Sequence, residues 1–159
     1  MNDAILHKRL IDNLHKNGAI LSHILQGVAQ ADAARWRDGA DGWTVLDVMC
    51  HLRDYEAIFR ERGELMMGDN VPTFPVYDHL AMVVEREYSS QELLSVLAEF
   101  IVSREKTAVF FTNLTAADWD RTGNHVEFGL FTMSSLAAHI VWHDSNHIEQ
   151  MTRIIAESQ

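Results

Sequence analysis

Residues 132–156 read TMSSLAAHIVWHDSNHIEQMTRIIA, and the fold is read outward from them. His139, His143 and His147 fall four residues apart, in a segment whose apolar residues Leu136, Ile140, Met151 and Ile155 keep helical spacing. At about 100° per residue, each four-residue step turns a helix by only about 40°, so the imidazoles line up along its apolar face. A buried imidazole needs a partner for each ring nitrogen, and a missing one costs about 1–3 kcal/mol. A divalent metal would compensate for several at once. Neighbouring members of the ladder are about 6 Å apart along the axis and can share an ion, whereas His139 and His147 are about 12 Å apart. One ion therefore takes two of the three, and further ligands come from another helix. The plainer reading is a set of core or rim histidines paired with carbonyls, water or Asp144.

A chain of 159 residues is long enough for one domain, 1–159, with its own core. Its 47% hydrophobic and 23% charged residues are ordinary for a soluble globular protein. The net charge of −10 repels a nucleic-acid backbone and argues against such a partner. The N-terminal stretch is amphipathic and no apolar run reaches membrane-spanning length, so neither a signal peptide nor a membrane partner is expected. The single cysteine, Cys50, excludes an intramolecular disulfide and agrees with a cytoplasmic location.

Apolar spacing predicts four long helices. The first covers about residues 4–28, with Leu6, Leu10, Leu14, Leu21 and Leu25 on its face. After a connection at 29–43 with a short helical turn near Ala31–Trp36, the second runs from the Thr44 and Asp47 capping box to about Met67. Pro72 and Pro75 break the chain at 68–77, and 78–87 adds a short helix. The third opens at Ser89, boxed by Glu92, and reaches about Asn113. Residues 114–131 read as an irregular aromatic loop with no strand, and Thr132 caps the fourth helix. The expected class is all-α, a four-helix bundle with long connecting loops, which builds sites from side chains on facing helices. His51 lies near the buried face of the second helix, among Val48, Met49, Leu52 and Tyr55. An antiparallel pairing of the second and fourth helices brings His147 to its depth, and a parallel pairing favours His139 and His143. Spacing alone does not choose. Cys50 points about 100° away from His51 and reads as a core residue.

The stretches GWTVLDVMCHLRDYE (42–56) and TMSSLAAHIVWHDSNHIEQM (132–151) together resemble the DinB/YfiT-like metal-binding four-helix-bundle family. In that family a Trp-Ser/Thr start leads into a helix with one histidine before a leucine. A later helix carries His-x-x-x-His and then a glutamine. The resemblance extends over the whole chain in helix order and spacing. It implies His51, His143 and His147 as metal ligands, with His139 matching a family histidine that is not usually one. Three neutral imidazoles suit zinc, nickel, iron or cobalt and leave a position open, the catalytic rather than the structural pattern. Members include thiol-dependent isomerases and S-transferases. The resemblance thus implies a small-molecule enzyme activating a low-molecular-weight thiol. The alternatives are a hydrolase using metal-activated water, or a metal-stabilised binding protein without turnover.

Other motifs fit less well. A zincin needs His-Glu-x-x-His, and Asp144 stands where the glutamate would. A di-iron bundle needs paired Glu-x-x-His, of which Asp144-x-x-His147 is one imperfect copy, and the haemerythrin spacing from His51 falls on Tyr55. Asp54, Glu56, Asp144 and Glu149 are candidates for orienting the ligands or for acid/base work, with a solvated helix face the plainer reading of each. Trp43 and Trp142 could line a pocket but more commonly serve as core or interface. His125 and Glu127 are open to a pocket role, with an exposed loop the plainer reading, and His7, His15, His23 and His79 have no metal spacing. Met66, Met67, Phe110 and Phe111 leave apolar surface at helix ends, from which a homodimer is expected.

Overall fold

Leu10, Leu14 and Leu21 are buried along one face of α1, Asp3–Ile24, as their spacing requires, and the chain turns away at Gly27, where φ is +87°. The computed structural model describes residues 3–158. After the short α2, Gln30–Ala33, the chain enters α3, Val45–Met66. Its start is the expected reciprocal box: Thr44 Oγ1 accepts from the Asp47 N–H at 3.1 Å, and the Asp47 carboxylate accepts from the Thr44 N–H at 2.9 Å. α4, His79–Glu85, lies in the connection to α5, Leu93–Thr112. The expected Ser89 and Glu92 box does not form. Tyr88–Ser90 is a 3-10 turn instead, and the free Leu93 N–H is taken by Gln30 Oε1 at 2.7 Å, a cap from a distant loop. α6, Met133–Ser158, begins after Thr132, whose Oγ1 accepts from the Ser135 N–H.

The four long helices pack in the cyclic order α1–α5–α3–α6. Arg53 meets Glu99 and Gly63 meets Phe110, so α3 and α5 run parallel. His7 meets Ser134 and Asn17 meets Val141, so α1 and α6 do too. His51 faces His147 while Phe59 faces His139, which makes α3 and α6 antiparallel. A parallel neighbour cannot be reached by a tight turn, so residues 67–92 must return along the bundle. This topology requires the long connections.

The expected irregular loop at 114–131 contains a hairpin. β1, Thr122–His125, pairs antiparallel with β2, Gly129–Thr132, and Asn124 bridges in parallel to Thr73 of the proline-containing segment. Four-residue strands with a glycine in each carry too little alternation to be read from sequence. Gly123 is required at its place, because a Cβ there would stand 2.4 Å from the Phe74 ring.

Two apolar clusters fill the interior, one around Leu46, Met49, Tyr88, Phe100 and Met151, the other around Leu14, Phe59, Phe111, Trp119 and Ile140. Met66 and Phe111 belong to the second, and Met67 and Phe110 pack against it. Of the residues from which a homodimer was expected, Met66 and Phe111 are thus buried within the chain, and Met67 and Phe110 are half-buried. Glu56 and Asp144 are not on a solvated face: both are buried and ion-paired with buried Arg104. Asp54 is likewise buried, against Arg53, Arg86 and the Tyr88 hydroxyl, whereas Glu149 is exposed beside Arg153. No described helix is long and apolar enough to cross a membrane.

Candidate metal centre

Two ladders of side chains face each other across the α3–α6 contact. α3 presents His51, Tyr55 and Phe59 at four-residue steps, and α6 presents His147, His143 and His139 in the opposite direction. Because the helices are antiparallel, His51 stands beside the C-terminal pair of the ladder. Its ring centroid is 4.8 Å from His147 and 5.1 Å from His143. One ligand atom from each of His51, His143 and His147 falls within a set spanning no more than 4.8 Å. His139 lies a turn away, its ring 6.5 Å from His143, among Phe59, Phe131 and Trp142.

These three imidazoles suit a cation. Burial, reinforced by His147 and His79, pushes the His51 pKa down to about 3. Burial and the neighbouring imidazoles hold His143 well below its usual value. His147 is also lowered by burial, partly offset by its hydrogen bond to Gln150 and by the Asp144 charge. All three are neutral at pH 7, the form that coordinates. His51 Nε2 and His143 Nε2 lie 3.0 Å apart, so their lone pairs face each other unless a proton or a metal ion lies between them.

His147 is fixed further by a chain of hydrogen bonds that decides its tautomer. The Asp38 carboxylate can only accept, so the Gln150 amide donates to it, at 3.0 Å. That turns Gln150 Oε1 to His147 Nδ1 at 2.8 Å, where the ring must donate, leaving the Nε2 lone pair free for the site. Arg153 holds Asp38 through two guanidinium nitrogens, and this pairing keeps the carboxyl below its ordinary pKa. His51 and His143 have no such partner at Nδ1 among the described residues.

The cluster forms one wall of a 380 Å³ cavity, with Trp43, Tyr55, His79 and Trp142 around it. Trp43, on the turn before Thr44, sets its ring 4.9 Å from His51 and 6.4 Å from His147. A second cavity of 190 Å³ meets the first at Tyr55, His139 and His143, under the β1–β2 hairpin. His125 and Glu127 line this second cavity, so they are pocket residues and not merely loop. His79, for which no metal spacing was found, enters from α4 with its ring 6.3 Å from His51. Gln150 is the glutamine that follows the His-x-x-x-His pair in the family resemblance, three residues past His147. Asp38 and His79 come from loop and crossover segments whose placement no local pattern encodes.

An antiparallel pair within a four-helix bundle, carrying a cavity-facing cluster of three histidines, defines a class of helical proteins with a candidate metal centre. The chain belongs to the DinB superfamily, whose sequence profile matches residues 13–151. Among solved structures, YfiT from Bacillus subtilis, described as a probable metal-dependent hydrolase with an unusual four-helix bundle topology, is similar with a TM-score of 0.87. The two are 22% identical, over 96% of this chain and 87% of that one. A mycothiol-dependent maleylpyruvate isomerase is similar with a TM-score of 0.76 and 12% identity. That match covers 91% of this chain but 60% of the isomerase, so the chain spans less than two thirds of its length. At these identities the likeness is one of fold. No curated protein sequence matches the chain.

Proposed function

We propose that this protein is a metal-dependent enzyme in which His51, His143 and His147 hold one divalent transition ion and a low-molecular-weight thiol is activated toward a small electrophile. The observation that carries this reading is the convergence of three neutral imidazoles, their ligand atoms within 4.8 Å, at the wall of an open cavity. Three histidine nitrogens suit zinc, nickel or iron and leave a position for an exchangeable ligand. When bound, such an ion supplies an undiminished 2+ charge, which favours thiolate over thiol at neutral pH.

The chain's own residues bind, orient and exclude. Gln150 and Asp38 keep the His147 Nε2 lone pair turned to the site. Trp43 packs against His51 and His147 and limits the water that reaches them. Tyr55 touches both cavities, and burial raises its phenol pKa, so it stays protonated and donates a hydrogen bond to an electrophile's oxygen.

Hydrolysis is the second reading, supported by the likeness in fold to YfiT, which is described as a probable hydrolase. Asp144, which adjoins His143, and Glu56 of α3 weigh against it, because both are buried and bound to Arg104 and neither is free to take a proton from water.

Cobalt substitution separates the readings. A small thiol added to cobalt-loaded protein should give an intense sulfur-to-metal charge-transfer band that His143→Ala lacks. No band at saturating thiol, with ester hydrolysis that His143→Ala loses, would favour the hydrolase. Neither signal would leave a binding protein without turnover.

A further inference from the structure

The α3 stripe His51, Tyr55, Phe59 continues one step further, to Arg62. Arg62 is only 6% exposed, yet among the described residues no carboxylate lies within ion-pair distance of it. Its Nε has no hydrogen-bond partner, and Nη2 reaches the Pro75 carbonyl only at 3.5 Å. Arg104, which is also deeply buried, is by contrast held by two carboxylates. Arg62 has aromatic faces instead, its Cζ 5.8 Å from the Phe59 centroid and 5.5 Å from that of Phe74. A guanidinium remains charged when buried, and an unpaired charge in a dry interior is costly. This chain keeps one at the wall of the 190 Å³ cavity that also reaches Tyr55 and His143.

We propose that Arg62 is the receptor for the carboxylate of a small-molecule ligand whose other end lies at the His51–His143–His147 cluster. The guanidinium fork matches the two oxygens of a carboxylate, and one unpaired cation balances one negative charge. Phe59 stands between the two ends, its ring 5.8 Å from Arg62 Cζ and 5.1 Å from the His143 ring. The ligand is thus a carboxylate joined through an apolar link to a reactive group. Glu127, on the hairpin across the same cavity, makes no ion pair with Arg62 and opposes an entering anion. Carboxylate binding by Arg62 stands without a metal; its part in turnover rests on the function proposed above.

Isothermal titration of the full-length protein with benzoate and with neutral benzamide, metal-loaded and after chelation, tests the assignment. Benzoate should bind both forms, and benzamide should bind at least tenfold more weakly. R62M should weaken benzoate at least tenfold in both forms, R62K should retain part of the affinity, and E127Q should strengthen it. R62M should melt no lower than the parent, because it keeps the stem's packing and removes an unpaired buried charge. No benzoate binding at millimolar concentration, or equal binding of benzamide, overturns the proposal. Benzoate binding that chelation removes but R62M keeps would place the carboxylate on the metal and overturn it too. A lowered melting temperature in R62M with unchanged benzoate binding would make Arg62 a structural residue. In the loaded protein, an Arg62-dependent advantage of 3-mercaptopropionate over 2-mercaptoethanol assigns the carboxylate to the thiol, and none assigns it to the electrophile. Failure of metal binding leaves the chelated-protein result intact, so the two readings fail separately.

Discussion

Arg104 grips Asp144, the residue that directly follows His143 in α6, with its two terminal guanidinium nitrogens, at 2.6 and 2.9 Å. The same guanidinium reaches Glu56 of α3 at 2.6 Å and the Leu14 carbonyl of α1 at 3.0 Å. One side chain of α5 thus ties all four long helices together at the level of the histidines. It fixes the rotation of α6 that turns His143 and His147 toward His51.

Arg104→Met should therefore be strongly destabilising, by about 3–5 kcal/mol, because it leaves two buried carboxylates unpaired. Adding Glu56→Gln and Asp144→Asn to it should recover part of the loss. Urea unfolding followed by circular dichroism measures both. A loss below about 1 kcal/mol would mean that the interior relaxes enough to hydrate the acids.

Gln150→Leu removes the acceptor that sets the His147 tautomer. Metal affinity, from competition with a chromophoric chelator, should fall about 10–100-fold with little change in fold. Asp38→Asn should act in the same direction and more weakly, since the amide oxygen it introduces could still accept from Gln150. Unchanged affinity in both variants would mean that the hydrogen-bond chain does not orient His147.

His139→Ala should keep full metal content, whereas His51→Ala, His143→Ala and His147→Ala should each lose it. The reason is axial distance: about 12 Å separates positions 139 and 147 on the helix. Elemental analysis of protein without a histidine tag decides. Retention in His143→Ala would refute the ligand set.

Tyr88 is fully buried and donates to Asp54 Oδ2 at 2.6 Å. Burial first, and the Asp54 carboxylate second, raise its phenol above the usual pKa. The unfolded chain therefore releases a proton near pH 10 that the folded chain retains. The stabilisation is present below pH 10 and is lost as pH rises above it, by up to about 1.4 kcal/mol per pH unit. Thermal melts between about pH 9 and 11 should show this slope in the parent and less of it in Tyr88→Phe. Parallel slopes would assign the alkaline loss to other groups.

By itself the sequence determined what is local. Helical periodicity placed the four long helices within a few residues, Thr44 with Asp47 marked the start of α3, and four-residue spacing put the histidines on one face. It did not determine which two of the three would meet His51, since that depends on helix direction, which the long crossovers set and no local pattern records. The family resemblance pointed to His143 and His147, and the antiparallel packing of α3 and α6 is what brings them to His51. Ser89 with Glu92 looked like a cap as convincing as Thr44 with Asp47, yet Gln30 caps α5, because a donor freed by folding takes whichever acceptor the tertiary structure brings near. The acids read as solvated became interior partners for the same reason: a carboxylate's environment is set by what packs against it, and Arg104, Asp144 and Glu56 come from three helices. Arg62 also needed the tertiary structure, because a charge without a partner is visible only once everything that could have paired with it has been placed.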